Sequence, residues 1–155
     1  MADNGSLYSG LGQDTVHRLR HVVAMADITV PNYTEACYLT DTPFQNEGLR
    51  EEQTHTLVDA VRSLGAQSVL ITSCRAVGEP CVIGYNASTR SYLSLPYREV
   101  PVQFHGTGDI FTAMLISKLL KGKTLTTATQ ITMEQLSALI DTFQDVDNKA
   151  EGLPY

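Results

Sequence analysis

The chain has 155 residues, a formal net charge of −6, 43% hydrophobic residues and 18% charged residues. This composition is typical of a globular domain with its own core and excludes a disordered chain. The acidic balance argues against non-specific nucleic-acid binding, and no apolar run approaches the roughly 20 residues that a membrane span needs.

The three cysteines, Cys37, Cys74 and Cys81, are odd in number and contain no Cys-x-x-Cys spacing. We therefore expect neither a disulfide framework nor a structural zinc site, and we predict buried thiols in a cytoplasmic protein. Cys74 follows a strand-like run, so a nucleophilic role is its alternative interpretation. The polar, acidic start at residues 1–5 differs from a secretory signal, and the Asp-Asn-Gly sequence within it predicts a turn.

Asp14 can cap a helix over residues 15–24, in which apolar side chains recur at helical spacing. These side chains are Val16, Leu19, Val22 and Val23. His17 and His21 lie four residues apart, a spacing that can bind metal. Because no third ligand is near them in sequence, we interpret them as part of an exposed face.

A β-branched run at residues 28–30 ends at Pro31 and predicts a short strand, followed by a helix over residues 32–39. Glu35 lies on the first turn of that helix. It either complements the helix dipole or faces the crevice beyond the strand ends, where open α/β sheets bind ligands. A loop at 41–48 and a helix at 50–64 are predicted next.

Residues 69–73 form an apolar run that ends in two hydroxyl side chains, and they predict a buried parallel strand. Thr72 and Ser73 are either ordinary strand-end polar residues or side chains that emerge in the same crevice. Residues 81–85 and 91–95 predict a β-hairpin.

Two glycines flank Thr107 in a short turn that leads into an apolar helix predicted over residues 107–121. Such a turn lets the backbone approach a ligand, and the free N–H groups of the helix start can bind an anion. Asp109 is then either the helix cap or a functional carboxylate at the mouth of the anion site.

Thr124 can cap a last helix running to about residue 146, and residues 145–155 are expected to fray. Strands that alternate with helices predict an α/β fold with a mainly parallel sheet, in one domain or part of one over residues 1–155.

Three segments together resemble the ribokinase-like sugar and vitamin kinases. Residues 26–36 resemble the strand and Pro-Asn-x-x-Glu segment of that superfamily, residues 69–73 its nucleotide-side strand, and residues 106–109 its anion hole with the catalytic Asp. The similarity is greatest to the pyridoxal/pyridoxamine kinase branch, in which residues 1–8 resemble the end of an Asp-Pro-Val-Met-x-Asp-x-Gly segment. It implies a three-layer ribokinase-like fold.

The resemblance begins in the middle of the family's domain. We therefore expect the family's N-terminal half, with its first strands, most of its vitamin pocket and its lid elements, to be absent from these 155 residues. An open sheet of this kind would expose an edge, so the chain alone is expected to be poorly stable or to oligomerise.

The resemblance implies ATP-dependent phosphorylation of the 5′-hydroxymethyl group of pyridoxal, pyridoxamine or pyridoxine, the salvage reaction of vitamin B6. Asp109 would accept the proton of the alcohol, and His105 is a candidate substrate contact. ATP and Mg²⁺ are the implied cofactors, with Glu35 and Asn32 orienting Mg²⁺ through water. The implied ATP and anion-hole residues are Asp3, Thr72, Ser73, Phe104, Gly106, Thr107 and Gly108.

Three alternatives remain. Hydroxymethylpyrimidine kinases share the fold, but many of them carry Cys at the position of Asp109. A sugar kinase fits the start of the chain and His105 less well. An inactive half-domain that binds nucleotide, or that needs a partner, is the alternative from another class. For the intact family member we expect a cytoplasmic homodimer without nucleic-acid or membrane partners.

Overall fold

The computed structural model describes residues 1–101 and 104–143 of the chain. The chain divides into two units, Met1–Pro96 and Tyr97–Tyr155. The first unit contains, in order, β1 (Ala2–Asp3), β2 (Ser6–Leu7), α1 (Gln13–Ala24), β3 (Ile28–Thr29), α2 (Tyr33–Thr40), α3 (Glu51–Arg62), β4 (Ser68–Ala76), β5 (Glu79–Asn86) and β6 (Ser91–Pro96). The second unit contains α4 (Thr107–Leu120) and α5 (Leu125–Thr142).

A sheet of order β3-β4-β5-β6 forms the centre of the first unit. The α/β class is confirmed. Among the strands of the described residues, however, only β3 and β4 pair in parallel, so this sheet is mixed and not mainly parallel as expected. The reason is the connection after β4, where Val77 and Gly78 have φ of 52° and 86°. A two-residue turn of this kind returns the chain antiparallel to itself.

The core of the first unit lies where α2 and α3 pack against β4. Four of its side chains have no exposed surface: Ala36, Val61, Val69 and Ile71. Burial of each of the three larger side chains, Val61, Val69 and Ile71, contributes about 1.5–3 kcal/mol to folding. The predicted hairpin is also confirmed, since β5 and β6 pair from Cys81–Pro96 to Asn86–Ser91.

Helix α1 differs from its prediction at both its start and its apolar face. Its N-cap is Gly12, and Asp14 lies in the first turn, where it complements the helix dipole. Val16 and Val23 are buried, whereas Val22 is 55% exposed. Val22 precedes Val23 by one residue, which places it about 100° away around the helix.

The three thiols are free and buried, as predicted. The exposed fractions are 4% for Cys37, 1% for Cys74 and 2% for Cys81. Cys74 and Cys81 stand opposite each other in the pairing of β4 with β5. Burial raises the pKa of Cys37 to about 11 and also raises the pKa of Cys74 and of Cys81. High thiol pKa values disfavour a nucleophilic role for Cys74.

The rings of His17 and His21 meet edge-on with centroids 4.8 Å apart on the exposed face of α1. Within residues 1–101 and 104–143, no group of three or more His, Cys, Asp or Glu side chains is arranged to hold a metal ion. None of the helices in these same ranges has the length and apolar character required to cross a membrane.

In the second unit, α4 and α5 pack on each other. Gly122, with φ 78°, ends the first of these helices, and the Lys123 N–H donates back to the carbonyl of Lys118 at 3.1 Å. This is the arrangement in which glycine terminates a helix. Thr124 caps α5 as predicted. The predicted continuation of that helix to about residue 146, and the frayed end at 145–155, lie outside the described residues.

Candidate active site

Asn32 and Glu35 form a capping box at the start of α2. The Asn32 side chain accepts a hydrogen bond from the Glu35 N–H at 2.8 Å, and Glu35 Oε2 accepts one from the Asn32 N–H at 3.0 Å. The interpretation of Glu35 as a helix-start residue is therefore confirmed. Its Oε1 atom accepts from the Met1 ammonium at 2.8 Å, and 22% of its side chain is exposed. Each oxygen keeps lone-pair capacity for a further donor such as a water molecule.

Asp3 lies in the small hairpin of β1 and β2. Asn4 and Gly5 have φ of 48° and 77°, and positive values at both central residues are the requirement of a type I′ turn. The turn predicted from this sequence is confirmed. Asp3 accepts a hydrogen bond from the Asn4 N–H at 2.9 Å. Asn32 donates from Nδ2 to the Ala2 carbonyl at 2.8 Å, so this hairpin is bonded to the capping box.

Thr72 and Ser73 form a β-bulge in the middle of β4. Ile71 pairs with Ile83 and Cys74 with Cys81, so two residues of β4 oppose one residue of β5. The expected strand end at Ser73 is therefore wrong, because β4 resumes its pairing and continues to Ala76. Ser73 is exposed and has a left-handed φ of 55°. Non-glycine residues in this conformation cluster at functional sites.

Thr72 is directly bonded to the strand-to-helix segment that carries Asn32. Its N–H donates to the Pro31 carbonyl at 3.0 Å, and Asn32 and Thr72 form an isolated parallel bridge. The first unit therefore brings the capping box, the bulge and the Asp3 hairpin to the carboxyl end of the parallel pair β3–β4. The carboxyl ends of parallel strands are where open α/β sheets bind ligands.

In the second unit, Gly106 with φ 82° is the N-cap of α4 and has no side chain to bond the helix start. Asp109 is therefore not the N-cap residue. It is exposed in the first turn of the helix. The Ile110 N–H donates to the Gly106 carbonyl at 3.1 Å, whereas the N–H groups of Thr107, Gly108 and Asp109 have no acceptor among the described residues. Such free donors and the helix dipole favour an anion.

The residues around this turn differ in their accessibility. Phe104 is 4% exposed, and His105 is exposed. A Cβ atom added to Gly106 or Gly108 would meet no atom within 4 Å. The glycines are therefore not required by packing. The positive φ favours glycine at position 106, and the space beside Gly108 is open.

The oxygen ligands in the first unit are suited to a Mg²⁺ ion that keeps several of its waters. They are too few to bind a Mg²⁺ ion by protein ligands alone. Glu35 and Asp3 offer carboxylate oxygens, the ligand type that Mg²⁺ prefers, and Mg²⁺ commonly keeps several waters. The Asn32 amide is engaged on both sides by the helix start and the Ala2 carbonyl. The Asn32 side chain therefore fixes the position of Glu35 at the helix start. Thr34 and Tyr38, which contact the Asp3 hairpin, carried no recognisable signal in the sequence.

Comparison with known proteins relates the chain to vitamin and pyrimidine kinases. The model of the family described as phosphomethylpyrimidine kinase matches residues 5–152. A pyridoxal kinase of Arabidopsis thaliana is 32% identical over 124 residues, which are 75% of this chain and 37% of that protein. A crystal structure of a provisionally named phosphomethylpyrimidine kinase from Bacteroides thetaiotaomicron, in a form with pyridoxal, is 30% identical with a TM-score of 0.89, over 99% of this chain and 55% of that one.

A third relative is the pyridoxal kinase of Leishmania donovani in complex with ADP and pyridoxamine, at 25% identity and a TM-score of 0.70, over 91% of this chain and 48% of that one. The chain thus spans between about a third and about a half of the length of these relatives. The likeness confirms the ribokinase-like resemblance. Since the family model matches nearly the whole chain, the protein belongs to the phosphomethylpyrimidine kinase family.

Proposed function

We propose that the protein is an ATP-dependent kinase that phosphorylates the 5′-hydroxymethyl group of pyridoxal, pyridoxamine or pyridoxine. The observation that carries this proposal is the start of α4. There the exposed Asp109 carboxylate shares one helical turn with backbone N–H groups that have no acceptor in the part of the chain that the structure describes. A carboxylate can accept a proton, and neighbouring donors can stabilise an anion. Transfer of a phosphoryl group to an alcohol requires both.

Asp109 is the proposed base. As the alcohol oxygen attacks the γ-phosphorus, the bond from that phosphorus to the bridging oxygen breaks, ADP leaves, and the alcohol proton passes to the Asp109 carboxylate. The N–H groups of Gly106, Thr107, Gly108 and Asp109 are proposed to stabilise the charge on the phosphoryl oxygens. His105, exposed beside this turn, is the proposed substrate contact.

The first unit supplies the proposed groups for the nucleotide and its cation. Thr72 and Ser73 donate hydroxyl hydrogen bonds to ATP phosphates, and the left-handed conformation of the bulge is the structural support for that role. Glu35, oriented by Asn32, would accept hydrogen bonds from waters around a bound Mg²⁺ ion, and Asp3 would lie near the cation and the phosphates. When bound, Mg²⁺ neutralises phosphate charge. Phe104 is the proposed apolar contact at the nucleotide end of the turn.

The relatives support a vitamin B6 substrate. The Arabidopsis thaliana relative is named a pyridoxal kinase, and the two structures contain pyridoxal in one case and ADP with pyridoxamine in the other. The description of the matching family favours a second candidate, phosphorylation of a hydroxymethylpyrimidine. Asp109 in place of the Cys that many such kinases carry favours the first candidate.

A partner-dependent half-domain without activity of its own is the candidate from another class. Strand β3 supports it, because β3 has two residues and lies at the edge of the four-stranded sheet. An edge strand leaves backbone groups open to pairing with another chain. As part of the kinase proposal, we also propose that the intact protein is a homodimer and works in the cytoplasm.

The proposal is tested by measuring ADP release from Mg²⁺-ATP with pyridoxal, pyridoxamine and hydroxymethylpyrimidine in parallel, on the 155-residue chain and on the longest natural form of the protein. We expect the longest natural form to turn over the B6 vitamers. Turnover of hydroxymethylpyrimidine with pyridoxamine inert would establish the second candidate. A chain that binds ATP but turns over none of the alcohols would establish the half-domain.

A further inference from the structure

The hairpin that carries Asp3 is attached to α2 through its turn. The Gly5 N–H donates to Thr34 Oγ1 at 3.1 Å, and the Tyr38 hydroxyl donates to the Gly5 carbonyl at 3.3 Å. Both backbone groups of one turn residue are therefore bonded to side chains of the same helix. These partners lie 29 and 33 residues away along the chain, so the contacts are tertiary and not part of the turn itself.

Packing restricts the same turn from another side. Gly5 has a positive φ of 77°, and a Cβ atom at this position would lie 3.1 Å from Cδ1 of Phe44. Phe44 in turn packs on Tyr33, with ring centroids 4.9 Å apart. The turn thus fits between an aromatic pair and the two hydrogen-bonding side chains of α2.

Thr34 is the buried member of this attachment, with 3% of its surface exposed. Loss of its oxygen would leave the Gly5 N–H without an acceptor in a site that water reaches poorly. An unpaired backbone donor of this kind is unfavourable, so the turn would move to find another partner. Tyr38 is more accessible, and its bond to Gly5 is longer.

Movement of the turn would be transmitted directly to Asp3. Its carboxylate accepts from the N–H and the side-chain amide of Asn4, at 2.9 and 3.4 Å, so its orientation follows the turn backbone. On the other side, Ala2 is bonded to Asn32 at 2.8 Å and has no exposed surface. Asp3 is thus held between a fixed strand residue and the turn.

We propose that Thr34 and Tyr38 are positioning residues for the Asp3 carboxylate, which they hold, through Gly5, beside the Asn32–Glu35 capping box where the cation of the nucleotide binds. This inference rests on the proposed function, which gives Asp3 its role near the cation and phosphates. It assigns to two uncharged side chains of α2 an effect on cation affinity without any contact to the cation.

Mn²⁺ is the probe for the test, because it shares the oxygen ligands of Mg²⁺ and its unpaired electrons broaden nearby amide NMR signals. The full chain is titrated with Mn²⁺ as wild type and as the variants Asp3→Asn, Thr34→Val, Thr34→Ser and Tyr38→Phe. Thr40→Val is the matched control. Thr40 lies on the same helix, and within residues 1–101 and 104–143 its hydroxyl bonds to the nearby Ala36 carbonyl and Thr42. Thermal unfolding of each variant is recorded in parallel.

We expect selective broadening around Asp3 and Glu35, and weaker Mn²⁺ affinity in Asp3→Asn. Thr34→Val should lower the affinity by about fivefold, the equivalent of one hydrogen bond, and Tyr38→Phe by about twofold. Thr34→Ser, which keeps the oxygen, should restore the affinity, and Thr40→Val should not change it. If Thr34→Ser and Thr34→Val unfold at the same temperature but only Thr34→Ser has wild-type Mn²⁺ affinity, the loss in Thr34→Val is due to positioning and not to a general loss of stability.

Wild-type affinity in both Thr34→Val and Tyr38→Phe, with Asp3→Asn weakened, would overturn the positioning inference and leave the proposed function intact. Unchanged Mn²⁺ affinity in Asp3→Asn would remove the cation role of Asp3 and this inference with it. If Thr34→Val fails to fold, Tyr38→Phe decides the question, because it removes only the longer of the two bonds, from a partly exposed side chain: weaker Mn²⁺ affinity supports the inference, and wild-type affinity overturns it.

Discussion

Asn32 and Glu35 bind each other's backbone, at 2.8 and 3.0 Å, so the two proposed cation-side residues also begin helix α2. The resemblance to vitamin kinases and the rules of helix capping thus point to the same pair for different reasons. Their contribution to folding can be measured apart from any contribution to catalysis, because the 155-residue chain can be unfolded without nucleotide.

Removal of the Asn32 side chain should destabilise the chain. Asn32→Ala leaves the Glu35 N–H and the Ala2 carbonyl without their partners, and we expect the free energy of unfolding to fall by about 1–2 kcal/mol. Urea unfolding followed by circular dichroism measures this. Asn32→Ser, which keeps a capping oxygen, should recover part of the loss. An unchanged midpoint in Asn32→Ala would show that the cap contributes nothing.

Asp109→Asn should abolish proton acceptance and leave the backbone donors of the α4 start in place. We expect turnover by the longest natural form to fall about 10²–10⁴-fold, while the dissociation constant for ATP changes little. Steady-state kinetics and equilibrium nucleotide binding give the two quantities. Asp141→Asn is the control, since that carboxylate is bonded to Arg98 within the same unit. Near-normal turnover in Asp109→Asn would show that Asp109 is not the base.

Substitution of Ser73 should separate strain from function. Ser73→Gly removes the side chain from a left-handed residue, and we expect the free energy of unfolding to rise by about 0.5–1 kcal/mol. Ser73→Ala keeps the strained backbone and should bring no such gain. Both variants lack the hydroxyl, so both should bind ATP more weakly in calorimetry. Full ATP affinity in both variants would exclude this hydroxyl from the phosphate site.

The buried thiols should resist modification in the folded chain. All three cysteines are buried and their pKa values are raised, so we expect no labelling by Ellman's reagent at about pH 8 and labelling of all three after denaturation. Labelling of a thiol in the folded chain at the rate of free cysteine would contradict this.

The same burial predicts a loss of stability in alkali. The pKa of Cys37 is about 11 in the folded chain against 9.0 for an unperturbed thiol, so the unfolded chain releases its proton first. The stabilising contribution of the neutral Cys37 thiol to the free energy of unfolding is therefore fully present below pH 9.0, and it is lost as the pH rises towards about 11. Urea midpoints measured across this range should fall for the wild type and fall less for Cys37→Ala. An equal fall of the urea midpoint with pH in the wild type and in Cys37→Ala would contradict the prediction.

Gly84 should tolerate no side chain. A Cβ atom at this position in β5 would overlap the Val69 carbonyl of β4, and backbone cannot yield as a flexible side chain can. We expect Gly84→Ala to lower the free energy of unfolding by about 3 kcal/mol or more. Gly12→Ala is the comparison variant, because a Cβ atom there meets nothing within 4 Å; since Gly12 is the N-cap of α1, we expect it to cost about 1 kcal/mol or less. Thermal unfolding of the two variants provides the comparison.

Local sequence patterns were sufficient for the helices and the hairpin. Apolar spacing indicated α3, Gly122 and Thr124 marked the boundary between α4 and α5, and the Asn4–Gly5 pair indicated its turn. Each of these signals is contained within about one turn of helix or one reverse turn, so neighbouring residues are enough to produce it.

Features that depend on distant partners were not predictable in the same way. The antiparallel course of β5 depends on a turn at Val77 and Gly78 that carried no strong signal, and the bulge at Ser73 exists only because β5 fixes the register on both sides of it. At the candidate site, the glycines and Asp109 were visible in sequence. Thr34 was not, because its role depends on a residue 29 positions away.

The bulge has a consequence for how the chain opens. Before it, Val69 and Ile71 belong to a stretch of β4 that begins in parallel pairing with β3 and contacts α2. After it, the Leu49 N–H donates to the Arg75 carbonyl at 2.8 Å, and the Val77 N–H donates to the Leu49 carbonyl at 2.9 Å. The two stretches need not open together. Amide hydrogen exchange should therefore divide β4 at Ser73 into a slow segment that exchanges on global unfolding and a faster segment released with the loop. The hydroxyls of Thr72 and Ser73 would then lie at the boundary between two cooperative units.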